Sequence, residues 1–224
     1  MTLGPSDEPA ARNPHAAPGW GFWALMAFSL FAVGIVAYLQ YARRDQARRA
    51  GAVLQAVSAL PVLADVPPFS LIERSGRAVS LADLRGRVWV ADFIFTSCTG
   101  PCPVMSRRMQ DLQMELLRDR MEDVRTVSFS VDPEHDTPAV LREYAATRSA
   151  SPDRWLFLTG DKRTLRDLCI GGFKLAVQDP VAGDQQIIHS TRFVLVDRQG
   201  RIRGYYRAMT DEDESDPAQA LQRP

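Results

Sequence analysis

Cys98 and Cys102 stand four residues apart in the run Phe93-Ile94-Phe95-Thr96-Ser97-Cys98-Thr99-Gly100-Pro101-Cys102-Pro103-Val104-Met105. The apolar residues from Val88 to Phe95, entered from Gly86, predict a short buried strand. Behind the cysteines, Met105, Met109, Leu112 and Leu116 recur at three- and four-residue intervals and predict a helix, with Pro103 as a helix-start residue. Both thiols therefore fall where a strand hands over to a helix N-terminus. Unpaired backbone N–H groups and the helix dipole favour an anion there, and a thiolate is the anion available. A spacing of four also sets the two sulfurs on one side of the first helical turn. That geometry serves a reversible disulfide or a soft metal ion. A permanent staple fits less well, because a cross-link gains most by closing a long loop and this loop is very short.

The elements that must position these thiols alternate along the chain. Phe69 to Glu73 and Arg77 to Ser80 flank Ser75-Gly76 and predict a β-hairpin. The cysteine strand and a helix to about Arg120 follow. Next come a buried strand from Val124 to Val131, a helix opened by Asp136-Thr137-Pro138 and reaching Thr147, and a strand from Trp155 to Thr159. Asp161 caps a helix ending near Gly171, and Phe173 to Val177, Thr191 to Val196 and Ile202 to Tyr206 supply the remaining strands. Strands alternating with helices predict an α/β sheet with helices on both faces. With a paired-cysteine loop after its first long strand, this is the thioredoxin-like arrangement, with an added N-terminal β-hairpin.

In such a sheet the entry to the strand from Thr191 lies beside the cysteine loop, so His189 can approach the two sulfurs. His135, in the loop Asp132-Pro133-Glu134-His135-Asp136, reads as an ordinary solvated histidine, and His15 lies in the leader. Two thiolates and one imidazole make a soft, low-coordinate donor set. It suits Cu(I), tolerates Cu(II) and is one ligand short of a closed structural zinc site. The helical spacing of Met105 and Met109 assigns them to core packing, and Cys169, between Leu168 and Ile170, reads as a buried structural thiol.

Bulk composition narrows the field. Lys plus Arg equal Asp plus Glu at 27 each, so no global field points to nucleic acid. Three cysteines in 224 residues are too few for a disulfide-built secreted module. Residues 1–18 are rich in Pro and Ala and read as a disordered leader. Residues 19–41 carry no charge and are long enough to span a bilayer as a retained helical anchor, with Trp20, Trp23, Tyr38 and Tyr41 as interfacial aromatics. Residues 42–67 then read as a linker holding a short amphipathic helix, 68–208 as the folded domain, and 209–224 as an acidic mobile tail. Arg43, Arg44, Arg48 and Arg49 follow the span while only Arg12 precedes it, which by charge alone would hold the domain in the cytoplasm.

Three phrases, taken in order, are specific: Phe93 to Pro103, Ser130-Val131-Asp132-Pro133-Glu134-His135-Asp136-Thr137-Pro138, and His189-Ser190-Thr191-Arg192-Phe193-Val194-Leu195-Val196-Asp197. From about Pro68 to Tyr206 the chain resembles the Sco/SenC family. The resemblance implies a membrane-anchored, thioredoxin-like copper protein that helps assemble the copper centre of cytochrome c oxidase. It carries Cys98 and Cys102 over as copper-binding cysteines, His189 as the distal ligand and Asp132 as the acidic residue of the family's loop. It also implies a single-pass anchor in the inner membrane, with the domain on the periplasmic side against the arginine bias. The implied partners are a copper-receiving subunit of a terminal oxidase, other copper chaperones and thiol reductants. Thr99 and Gly100 depart from what the family often carries there. Two functions stay open: a metallochaperone without turnover, and a thiol–disulfide oxidoreductase working through a Cys98–Cys102 redox disulfide. Only copper binding needs His189. A peroxidase of the same fold fits least, since only an apolar strand precedes Thr96-Ser97.

Overall fold

The computed structural model describes residues 19–178 and 187–209, with the backbone alone at Ala50, Ile188 and His189. Its elements are α1 (Trp20–Ala59), β1 (Ala64–Asp65), β2 (Ser70–Glu73), β3 (Ala78–Ser80), α2 (Leu81–Leu84), β4 (Val88–Ile94), α3 (Cys102–Arg118), β5 (Val124–Ser130), α4 (Pro138–Thr147) and β6 (Trp155–Thr159). Then follow α5 (Lys162–Asp167), a π-helical turn over Leu168–Gly172, β7 (Val177–Gln178), β8 (Ile188–His189), β9 (Arg192–Val196) and β10 (Arg201–Arg207). The leader and the acidic tail from Asp211 lie outside the described residues.

The chain divides into two compact units, residues 1–47 and 48–224. In the first, the uncharged run from Trp20 to Tyr41 is helical with its large apolar side chains exposed, and it is long and apolar enough to cross a membrane. In the second, eight strands form one mixed sheet in the order β1-β10-β9-β4-β5-β6-β2-β3. The central strands β4, β5 and β6 are parallel and joined through α3 and α4, while β9 and β10 run antiparallel to their neighbours. The β2–β3 hairpin turns at Gly76, whose φ of +89° suits a residue without Cβ, and β2 pairs with β6. This is a thioredoxin-like α/β fold with the hairpin added at one edge.

Burial explains the register. Phe93 on β4 stacks on Phe129 of β5 at 5.0 Å and 19°, and Phe69 and Phe173 close over Phe129 at 5.6 and 5.5 Å. Offset and edge-on contacts of this kind add to the apolar area they remove from water. Trp155 brings a polar group into this core and keeps it bonded, its Nε1 donating to Ser128 Oγ at 2.9 Å.

Several expectations shift. The linker is largely built. The amphipathic segment continues α1 without a break and packs Val53, Leu54 and Val57 against Val88, Val124 and Leu195, and β1 pairs with β10. Met209, assigned to the mobile tail, is 3 % exposed and packs on Val104 and Met105. The helix predicted to end near Gly171 stops at Asp167 and widens into the π turn. Phe173 N–H bonds Leu168 C=O at 2.8 Å, and a Cβ at Gly172 would lie 2.8 Å from Pro67 Cδ. Leu175 N–H goes to Cys169 C=O and Lys174 takes φ +55°, so the strand expected from Phe173 shrinks to β7. Within the predicted helix start, Thr137 caps α4 by accepting from Val140 N–H. Asp136 turns inward instead.

Candidate dithiol and metal site

The cysteine loop leaves the C-terminal end of β4, beside the loop leaving the parallel strand β5, where Ile94 pairs with Ser130. Because β9 runs antiparallel to β4, with Ala91 opposite Val194, its entry lies at this same end of the sheet. Cys98 N–H bonds Phe95 C=O at 3.3 Å and closes a turn, and Cys102 opens α3. Cys98 is half-buried and Cys102 is 1 % exposed. No disulfide joins them, and Cys98 is near enough to act on the Cys102 thiol.

The electrostatics differ from the sequence expectation of a thiolate favoured by the helix N-terminus. Burial pushes the Cys102 thiol far up, and the hydrogen bond and charge of Cys98 and the charge of Asp92 push in the same direction. A hydrogen bond to the Phe95 backbone opposes them without winning. Removing a thiolate from water costs more than the end of one helix returns. Cys102 is a protonated thiol until a metal or a disulfide takes the proton's place.

His189 lies in β8, paired with Val177 of β7, two residues before the Thr191–Arg192 junction into β9, and Ser190 N–H bonds Ala176 C=O. The backbone thus carries His189 to the cysteine end of the sheet. Its side chain lies outside what is described, and among the described residues no three His, Cys, Asp or Glu side chains gather to hold a metal. Met105 and Met109 are fully buried in packing roles, as their spacing predicted. Cys169 is buried in the π turn, where burial pushes its thiol up to about 12.

Sequence reasoning passed over a polar cluster next to the dithiol. Asp136, 0 % exposed, accepts from Thr96 Oγ1 at 2.5 Å, Thr96 N–H at 3.2 Å and Ser130 Oγ at 2.7 Å. His135 Nδ1 lies 3.0 Å from Asp136 Oδ1 and 3.2 Å from Thr96 Oγ1, so this histidine is tied to the cysteine loop rather than merely solvated. The hydrogen bond to Asp136 raises its pKa. Asp132 works through its backbone, its carbonyl accepting from the N–H groups of His135 and Asp136. Asp92, a buried acid in the middle of β4, was the other available signal: one charge inside an apolar strand.

With that geometry in hand, comparison with known proteins is specific. Residues 61–223 match the SCO1/SenC family. The chain belongs to the SCO1/SenC family. It is 43% identical over 143 residues to a SCO1 protein homolog of Bacillus subtilis (strain 168), covering 63% of this chain and 73% of that protein. Its fold is similar to that of BsSco, a member of the Sco family of cytochrome c oxidase assembly proteins in which a disulfide switch was identified. That similarity has a TM-score of 0.61 and 38% identity, over 75% of this chain and 99% of the other. It is also similar to Bradyrhizobium japonicum ScoI, solved with copper bound, with a TM-score of 0.58 and 27% identity over 70% of this chain and all (100%) of that one. As a SCO1/SenC member, the chain carries its paired cysteines on a fold shared with a copper-bound relative.

Proposed function

We propose that this protein is a membrane-anchored copper chaperone serving the copper centre of a terminal oxidase, with copper held as cargo by Cys98, Cys102 and His189. The observation that carries the reading is the pair of unbridged thiols on the loop between β4 and α3, at the sheet end to which β8 and β9 bring the His189 backbone. Two sulfurs and one imidazole leave Cu(I) coordinatively unsaturated, so a partner's thiol can enter and the cargo can pass by ligand exchange. Loading releases the Cys102 proton, so affinity rises with pH. The copper-bound and oxidase-assembly relatives support the cargo and the destination. The apolar span supports a membrane anchor, and the periplasmic side for the domain follows the family resemblance against the arginine bias.

A thiol–disulfide exchange role is favoured by one observation, the unequal exposure of the two cysteines. Cys98 as thiolate attacks a partner's disulfide, forming a mixed disulfide and releasing one partner thiolate. Cys102 then attacks Cys98, giving its proton to the second partner sulfur as that leaves, so the partner's disulfide is reduced and Cys98–Cys102 is oxidised. Copper and the disulfide use the same sulfurs and exclude each other. Copper titration of the full chain, oxidised and then reduced, tests this: binding is expected only after reduction. Equal binding in both states would put the metal elsewhere.

A further inference from the structure

We propose that Asp136 is the positioning residue of the dithiol: held by Thr96, its carboxylate fixes the loop that carries Cys98. The inference rests on the reading of Cys98 and Cys102 as the working pair. The β4–β5 ladder ends where Ile94 faces Ser130 and Val131 N–H bonds Ile94 C=O at 2.8 Å. Beyond that point the outgoing cysteine loop and the outgoing loop of β5 leave the ladder. The Asp136 side chain takes over, accepting both polar groups of Thr96 while also holding Ser130 Oγ.

Thr96 sits inside the turn closed by the Cys98 N–H bond to Phe95 C=O, so orienting Thr96 orients Cys98. Cys102 is held independently, as the buried first residue of α3. The separation of the two sulfurs therefore depends on a carboxylate forty residues downstream of Thr96. Hydrogen bonds to a buried charged acceptor are among the stronger ones, and Asp136 is completely buried. An Asp136→Asn side chain offers one acceptor oxygen and a donor NH2, so it cannot receive every bond the carboxylate receives.

The test is the equilibrium between the full chain and glutathione, in detergent: the Cys98–Cys102 disulfide plus two glutathione thiols gives the dithiol plus glutathione disulfide. It is measured for Thr96→Val, Thr96→Ser and Asp136→Asn, alongside thermal unfolding. Thr96→Val and Asp136→Asn are expected to shift the exchange constant by about tenfold, the size of one charge-assisted bond. Thr96→Ser keeps the hydroxyl and should match the parent. A constant unchanged in Thr96→Val would overturn the proposal, even if that variant melts earlier. Should Asp136→Asn fail to fold, the Thr96 pair decides alone. No copper enters this assay, so a parent that binds no copper refutes the chaperone reading and leaves this result standing.

Discussion

Cys98 is half-buried while Cys102, one helical turn on, is 1 % exposed and carries a thiol raised by burial. Reactivity tracks the accessible thiolate, so the two should separate in rate. With excess iodoacetamide at neutral pH, peptide mass analysis is expected to find Cys98 modified first and Cys102 lagging by at least about tenfold. Cys169, buried and also raised, should react only in denaturant. Equal labelling of Cys98 and Cys102 in the folded protein would contradict the asymmetry.

His135 makes stability depend on pH in one direction. Its pKa is raised by the bond to Asp136, so the folded chain holds the proton more tightly than the unfolded one. The contribution is complete below the ordinary histidine value and is lost as pH rises through the raised folded value. His135 is half-exposed, so solvent screens the pair and the effect is small. In urea unfolding, the parent should exceed His135→Gln in mild acid, and the gap should close in mild alkali. A gap that widens with pH would reverse the assignment.

Arg203 joins three segments: it donates to Asp197 Oδ2 at 2.6 Å, to Ser58 C=O at 3.3 Å and to Leu60 C=O. Burial pushes the Asp197 carboxyl up, but hydrogen bonds from Arg201 N–H and from the Arg203 and Arg201 guanidinium groups outweigh it and hold the group below its usual range. That contribution is present above the ordinary carboxylate range and fades as pH falls through the lowered folded value. Arg203→Met strands a buried charge and should cost about 3 kcal/mol at neutral pH by denaturant titration. A loss near zero would mean that Arg201 alone satisfies Asp197.

Much of this was legible in the sequence where period and burial agree. Val88 to Ile94, the hairpin around Gly76 and the helix behind Cys102 announce themselves through apolar spacing. The π turn does not, because it depends on Gly172 meeting Pro67, over a hundred residues away in the chain. The inward turn of Asp136 was not legible, because Asp and Thr are equally good helix-start residues and only the packed fold decides which one caps and which one turns inward. The strand β8 is two residues long, too short for any period to show. The cysteine pair itself needed no fold to be found, but its unequal burial did.

The measurement closest to the central claim is X-ray absorption at the copper edge on the reduced full chain loaded with one equivalent of Cu(I), for the parent and for His189→Ala. The account predicts two sulfur ligands and one imidazole nitrogen in the parent, with both sulfurs retained and the imidazole scattering lost in His189→Ala. A parent spectrum without sulfur ligation, or a variant spectrum that keeps the imidazole, would contradict it.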